Sequence, residues 1–217
     1  FATALAQSVL LGNGQFCTRP GLVFVPEQAE TPALLQALAA SFNATSSVTL
    51  LTPKIAESYR HGCALLNGLE GVTTVAMGSS EVGEAGCQVL PRLFVTDAVS
   101  WVDLPQLQQE IFGPATVLIR YRSLAELLTI LPSLHGQLTA TVYGTDQDLQ
   151  THAALVQQLP DLAGRLIRNQ MPTGVEVCAA MHHGGPFPAS TDLRFTAVGT
   201  AAYQRFVRPL CWQNFGA

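Results

Sequence analysis

The stretch Gly14-Gln15-Phe16-Cys17-Thr18-Arg19-Pro20-Gly21 sets one thiol in a loop bounded by glycine and proline. A cysteine in this setting has two readings. As a small hydrophobe it fills a core, since free cysteine is among the most buried residue types. As a nucleophile it needs an exposed sulfur and nearby donors. Gly12, Gly14, Gly21 and Pro20 supply sharp turns on both sides, and such turns present backbone amides. Those amides stabilise a thiolate, and then the oxyanion that forms when the thiolate attacks a carbonyl. The neighbouring Gly12-Asn13-Gly14 lacks the lysine and Ser/Thr of a phosphate loop and reads as a turn.

A loop of this kind must be carried by regular elements. Thr3 to Leu11 is rich in alanine and leucine and stops at Gly12, which predicts a helix closed by glycine. Gly21 to Val25 is a continuous apolar run, the pattern of a strand buried on both faces. Helices are predicted over Pro32 to Phe42 and Pro53 to Asn67, the second opening on proline and followed by Gly68. Strands are predicted over Val72 to Met77 and Val89 to Val95, separated by a glycine- and serine-rich loop from Gly78 to Gly86. A short helix is expected over Leu104 to Gln109. Strand and helix then alternate: Thr116 to Tyr121, Ser123 to Leu131, Leu138 to Tyr143, Asp146 to Leu159 with an aspartate N-cap at its start, and Arg165 to Arg168. Such alternation predicts βαβ units, and so an α/β fold with a parallel-rich sheet covered by helices on both faces. The tail reads as an irregular loop over His182 to Pro188, a short helix over Thr200 to Phe206 and a terminal strand over Arg208 to Phe215. A terminal strand with two aromatics and no nearby partner is suited to pairing with the sheet edge of another chain.

Composition narrows the classes. The 217 residues suffice for one large domain, and 48% are apolar while only 12% are charged. So little charge predicts that part of the surface is covered by another domain or subunit. The net charge is −4 and the basic residues are scattered, which argues against nucleic acid as a partner. No apolar run reaches the roughly 20 residues that span a bilayer. The start Phe1-Ala2-Thr3-Ala4 has no initiating methionine and no basic region, so the chain is expected to begin inside a longer product without a signal peptide. Five widely spaced cysteines without a C-x-x-C pair point to a reduced, cytoplasmic compartment. Cys178, His182 and His183 would offer metal ligands, but no second cluster completes four positions, so no metal is expected.

Three separated stretches together resemble the aldehyde dehydrogenase superfamily. They are Gly14-Gln15-Phe16-Cys17, then Gln109-Glu110-Ile111-Phe112-Gly113-Pro114, then the tail from Asn169 to Phe215 with Thr173-Gly174-Val175 and His183-Gly184-Gly185-Pro186. The first and third stretches are similar to the branch holding 2-oxoglutarate semialdehyde (2,5-dioxopentanoate) dehydrogenases, near which NADP-dependent fatty-aldehyde dehydrogenases also fall.

The resemblance implies that Cys17 attacks an aldehyde, with NAD or NADP as cofactor. It implies that Glu110 holds the nicotinamide ribose hydroxyls and that Phe112 packs near the nicotinamide. Phe16 and Arg19 would shape the substrate pocket, Arg19 by gripping a carboxylate with two parallel bonds or, equally, by pairing to a structural acid. Asn169 would brace the catalytic loop as structural support. Residues 1–178 would form the catalytic domain and 179–217 a loop and oligomerisation arm of a homodimer or homotetramer. The general-base glutamate and most of the cofactor-binding half would precede this chain, leaving it inactive alone. Three other readings stay open: a coenzyme A-acylating relative, a fatty-aldehyde dehydrogenase, and an inert structural module.

Overall fold

The computed structural model describes residues 1–80, 86–172 and 174–216. In chain order the first elements are α1 (Ala2–Leu10), β1 (Leu22–Pro26), α2 (Thr31–Asn43), β2 (Val48–Thr49), α3 (Pro53–Asn67) and β3 (Thr73–Met77). Then follow β4 (Gln88–Val89), β5 (Arg92–Asp97), α4 (Ala98–Asp103), β6 (Ala115–Tyr121) and α5 (Leu124–Ile130). The last are β7 (Gln137–Val142), α6 (Asp146–Thr151), α7 (Ala153–Leu162) and β8 (Ala163–Arg168).

Local chemistry accounts for several boundaries. The Thr52 hydroxyl accepts from the Ile55 N–H at 3.2 Å and Pro53 opens the first turn, so α3 starts where two independent signals agree. Ser123 caps α5 in the same way, accepting from the Glu126 N–H at 3.2 Å.

The main sheet has the order β1-β6-β5-β3. The first three strands are parallel and β3 runs antiparallel at the edge, with a bulge between Thr74 and Ala76. Because both faces are covered, β5 and β6 are apolar and buried through their middles, and their alternate residues feed two different cores. Leu93, Val95 and Leu118 point to one face, packed by Leu5, Val9, Leu38 and Phe42 of α1 and α2. Phe94, Val117 and Ile119 point to the other, packed by Tyr59, Cys63 and Leu66 of α3 and by Trp101 of α4. The fold is therefore α/β with helices on both faces, as the alternation predicts.

The structure also departs from that expectation. β7 and β8 pair with each other in parallel as a separate two-stranded sheet. The strand expected over Val89 to Val95 is divided at Leu90-Pro91, since proline has no N–H for the ladder. Helix α4, begun by the Asp97 carboxylate accepting from the Ser100 N–H at 2.8 Å, was not anticipated, and the expected helix after it is one 3₁₀ stretch, Pro105–Gln108. The helix expected over Asp146 to Leu159 breaks at His152, whose φ of −107° and ψ of 32° are not helical. Its cap is Thr145 and not an aspartate: the Thr145 hydroxyl accepts from the Asp148 N–H at 3.1 Å while the Asp148 carboxylate accepts from the Thr145 N–H at 2.8 Å. The helix expected over Thr200 to Phe206 is a 3₁₀ segment, Ala202–Phe206.

Arg208 to Phe215 forms no strand, because a strand needs a partner backbone and none among the described residues pairs with it. Part of the Gly78 to Gly86 loop, and Thr173 of the Thr173-Gly174-Val175 motif, lie outside the described residues. Among the described residues no helix is long and apolar enough to cross a membrane.

Candidate active site

Parallel pairing explains how residues almost a hundred positions apart meet. Leu22 of β1 is paired with Val117 of β6. Cys17 lies five positions ahead of Leu22, and Phe112 lies five ahead of Val117. Two parallel strands in this register carry both loops to the same end of the sheet.

The loops then touch directly. Gly14 has a φ of +71°, and a Cβ there would sit inside the Gly113 carbonyl and the Pro114 nitrogen. Only hydrogen at that position lets the two backbones come so close. The loop is also tied to the end of β2 and the segment after it: Asn13 Nδ2 donates to the Thr49 carbonyl at 3.0 Å, and the Gln15 side-chain oxygen accepts from the Leu51 N–H at 2.8 Å.

Cys17 is exposed, so the thiol is not core filler. Its backbone N–H meets no acceptor among the described residues and remains available to an incoming oxyanion. Phe16 is 42% exposed and lies over Gly12. A cavity of about 430 Å³ is lined by Cys17, Arg19, Glu110 and Phe112, and also by His135 and Pro188. Glu110 is exposed and Phe112 half-buried.

Arg19 takes a different part from the carboxylate-binding one expected of it. Its Nη2 donates to the Ile111 carbonyl at 2.9 Å, and its Nη1 donates to the Ala115 carbonyl and, at 3.3 Å, to that of Pro20. A fork committed to main-chain carbonyls clamps the Cys17 loop to the loop carrying Glu110. Burial lowers the guanidinium's pKa, and the attraction of Glu110 opposes that shift.

Asn169 likewise holds something other than the catalytic loop. Its Nδ2 donates to the Gly144 carbonyl and its Oδ1 accepts from the Gly144 N–H, both at 2.8 Å, while its own N–H donates to the Val142 carbonyl at 2.9 Å. It closes the turn between β7 and α6 from a left-handed backbone, φ 52°.

One contact was missed by sequence reasoning. His183 Nε2 lies 3.4 Å from Cys17 Sγ, across 166 residues of chain. Sequence reasoning notes His183 in the His182-His183 pair, weighed as a source of metal ligands, and in the His183-Gly184-Gly185-Pro186 stretch, without a role at the thiol. The His183 N–H donates to the Thr196 hydroxyl at 2.8 Å, and its carbonyl accepts from the Ala197 N–H at 2.9 Å. Its pKa is lowered by burial first, then by the positive charges of Arg165 and His182.

The α/β sheet thus brings an exposed thiol, the free amide beside it and a carboxylate to one cavity. The chain belongs to the aldehyde dehydrogenase family, whose model matches residues 1–186. It is 40% identical over 214 residues to alpha-ketoglutaric semialdehyde dehydrogenase 2 of Azospirillum brasilense, covering 99% of this chain and 40% of that protein. It is 41% identical over 208 residues to alpha-ketoglutaric semialdehyde dehydrogenase of Acinetobacter baylyi, covering 94% of this chain and 39% of that protein. The chain thus spans about two fifths of the length of these curated relatives. Among solved structures, an aldehyde dehydrogenase from Bacillus cereus superposes with a TM-score of 0.69 at 22% identity, over 93% of this chain and 40% of that one. Aldehyde dehydrogenase 21 from Physcomitrella patens does so with a TM-score of 0.66 at 16% identity, over 85% of this chain and 37% of that one.

Proposed function

We propose that this chain carries the nucleophile of an NAD(P)-dependent aldehyde dehydrogenase that converts 2-oxoglutarate semialdehyde to 2-oxoglutarate. The observation that carries the reading is the exposed Cys17 thiol on one cavity with Glu110 and Phe112. The identity to two alpha-ketoglutaric semialdehyde dehydrogenases supports the substrate.

The Cys17 sulfur adds to the aldehyde carbon, and the carbonyl electron pair moves to oxygen, where the Cys17 N–H receives it. The residues present fit a nicotinamide cofactor: the exposed carboxylate of Glu110 would hold its ribose hydroxyls, and the half-buried Phe112 ring would offer an apolar face to it. When bound, the cofactor would supply the hydride acceptor through which the adduct on Cys17 is oxidised to a thioester. Water then cleaves the thioester on Cys17, releasing the acid and returning the thiol.

Residues 1–178 serve as catalytic domain in this reading, and 179–217 as loop and arm. Phe206, Leu210, Trp212 and Phe215 are between 59% and 83% exposed, which supports pairing of that arm with a second copy. Five free cysteines suit a reducing cytoplasm.

The test uses the whole protein containing this chain and follows NADH and NADPH formation. The aldehydes are short dicarboxylic semialdehydes and long-chain aldehydes, each with and without coenzyme A. Turnover of 2-oxoglutarate semialdehyde without coenzyme A is expected, falling roughly a thousandfold or more in Cys17→Ala. No turnover of any aldehyde, or full activity in Cys17→Ala, refutes the reading.

A further inference from the structure

The loop bearing His183 is built to hold still. Gly164 opens β8 against it so closely that a Cβ there would collide with the Gly184 carbonyl. The Gly136 N–H donates to the Phe187 carbonyl at 3.2 Å, fixing the far end of the loop to the start of β7. The Ser190 hydroxyl bridges back to the Gly185 carbonyl at 2.6 Å. With Thr196 and Ala197 on the His183 backbone, both chain directions away from the imidazole are anchored. An imidazole nitrogen placed 3.4 Å from an exposed sulfur by such a scaffold is within hydrogen-bonding reach of a thiol.

We propose that His183 is a catalytic base, its Nε2 taking the Cys17 thiol proton as the sulfur bonds to the aldehyde carbon. This rests on the reading of Cys17 as nucleophile. The S–H bond breaks as N–H and S–C bonds form, and the carbonyl π pair passes to oxygen. The resulting imidazolium returns its proton to water.

The charges facing His183 decide when it is competent. Arg165, from β8, and the adjacent His182 both repel a protonated imidazole, and burial acts in the same direction. His183 therefore stays neutral, with a free acceptor, at pH values below those at which an ordinary histidine becomes charged. A neutral imidazole accepts the thiol proton; a protonated one does not.

Iodoacetamide alkylation of Cys17, followed at the peptide level by mass spectrometry between pH 5 and 10, reads this step without aldehyde or cofactor. It is measured in the whole protein containing this chain, with N-acetylcysteine alkylated under the same conditions as the reference thiol. Near neutral pH, His183→Gln and the smaller His183→Asn are expected to alkylate Cys17 roughly tenfold more slowly or worse. His182→Gln keeps the rate and moves the acidic limb of the profile upward. Coincident profiles for the original protein and both His183 variants overturn the proposal, as does an equal loss in His182→Gln. A Cys17 in the original protein no more reactive near neutral pH than N-acetylcysteine overturns it too. Aldehyde oxidation is scored separately, so a reactive, His183-dependent Cys17 in a protein that oxidises no aldehyde overturns only the proposed function.

Discussion

Replacing Gly14 by alanine strikes the point where the two motif loops touch. Two costs add. Holding a side chain in the left-handed region, φ +71° here, costs about 1–2 kcal/mol. The new methyl also lands inside the Gly113 carbonyl and the Pro114 nitrogen, and neither can retreat, because Gly113 is pressed in turn against the Tyr59 ring. Overpacking against rigid backbone costs about 1–3 kcal/mol. The sum is about 2–5 kcal/mol, or roughly 5–15 °C in melting temperature for a chain of this size.

Gly86 provides the control. It too has a positive φ, +57°, but a Cβ there meets nothing within 4 Å. Gly86→Ala therefore bears only the conformational cost, partly offset by about 0.4–1 kcal/mol from a stiffer unfolded chain. Thermal unfolding followed by circular dichroism should show Gly14→Ala well below Gly86→Ala. Equal melting temperatures would refute the claim that backbone contact between the loops is what demands glycine.

Arg19→Met strips two buried carbonyls, Ile111 and Ala115, of their donor and should cost about 2–5 kcal/mol in urea unfolding; unchanged stability would contradict the clamp. Burial, and after it the neighbouring Cys63, raise the Tyr59 pKa well above 10.0. Unfolded tyrosine ionises near 10, so the stabilisation from keeping Tyr59 neutral is complete below that pH. It is lost as pH rises further, by about 1.4 kcal/mol per pH unit. Tyr59→Phe should remove that part of the alkaline decline, and an identical slope above pH 10 in the variant would show that Tyr59 is not its source.

Much of the architecture was legible because its signals are local. Thr52-Pro53 and Gly68 mark both ends of α3 within single turns, and the apolar run after Gly21 marks a strand covered on both faces. The breaks that went unread are local geometry overriding composition: Pro91 within one apolar run, and His152 within one helical pattern. At the site, Cys17, Glu110 and Phe112 were found through their loops, and the structure gathers them on one cavity. Arg19 and Asn169 were singled out by position, and the structure adds their main-chain partners. A guanidinium or an amide offers the same donors to a substrate, a carboxylate or a carbonyl, and nothing in neighbouring residues says which will be there.

The sequence by itself determined the alternation of strands and helices, the thiol with its glycine-bounded loop, and the family. Each rests on side chains within a few positions of one another, where period, capping and turn chemistry operate. Only tertiary structure decided that the Leu22–Val117 register lays the Cys17 loop on Gly113, that Arg19 spends its fork on two carbonyls, and that His183 reaches Cys17. Those contacts join segments 92 to 166 residues apart, where local spacing carries no information and only the folded chain specifies the partner.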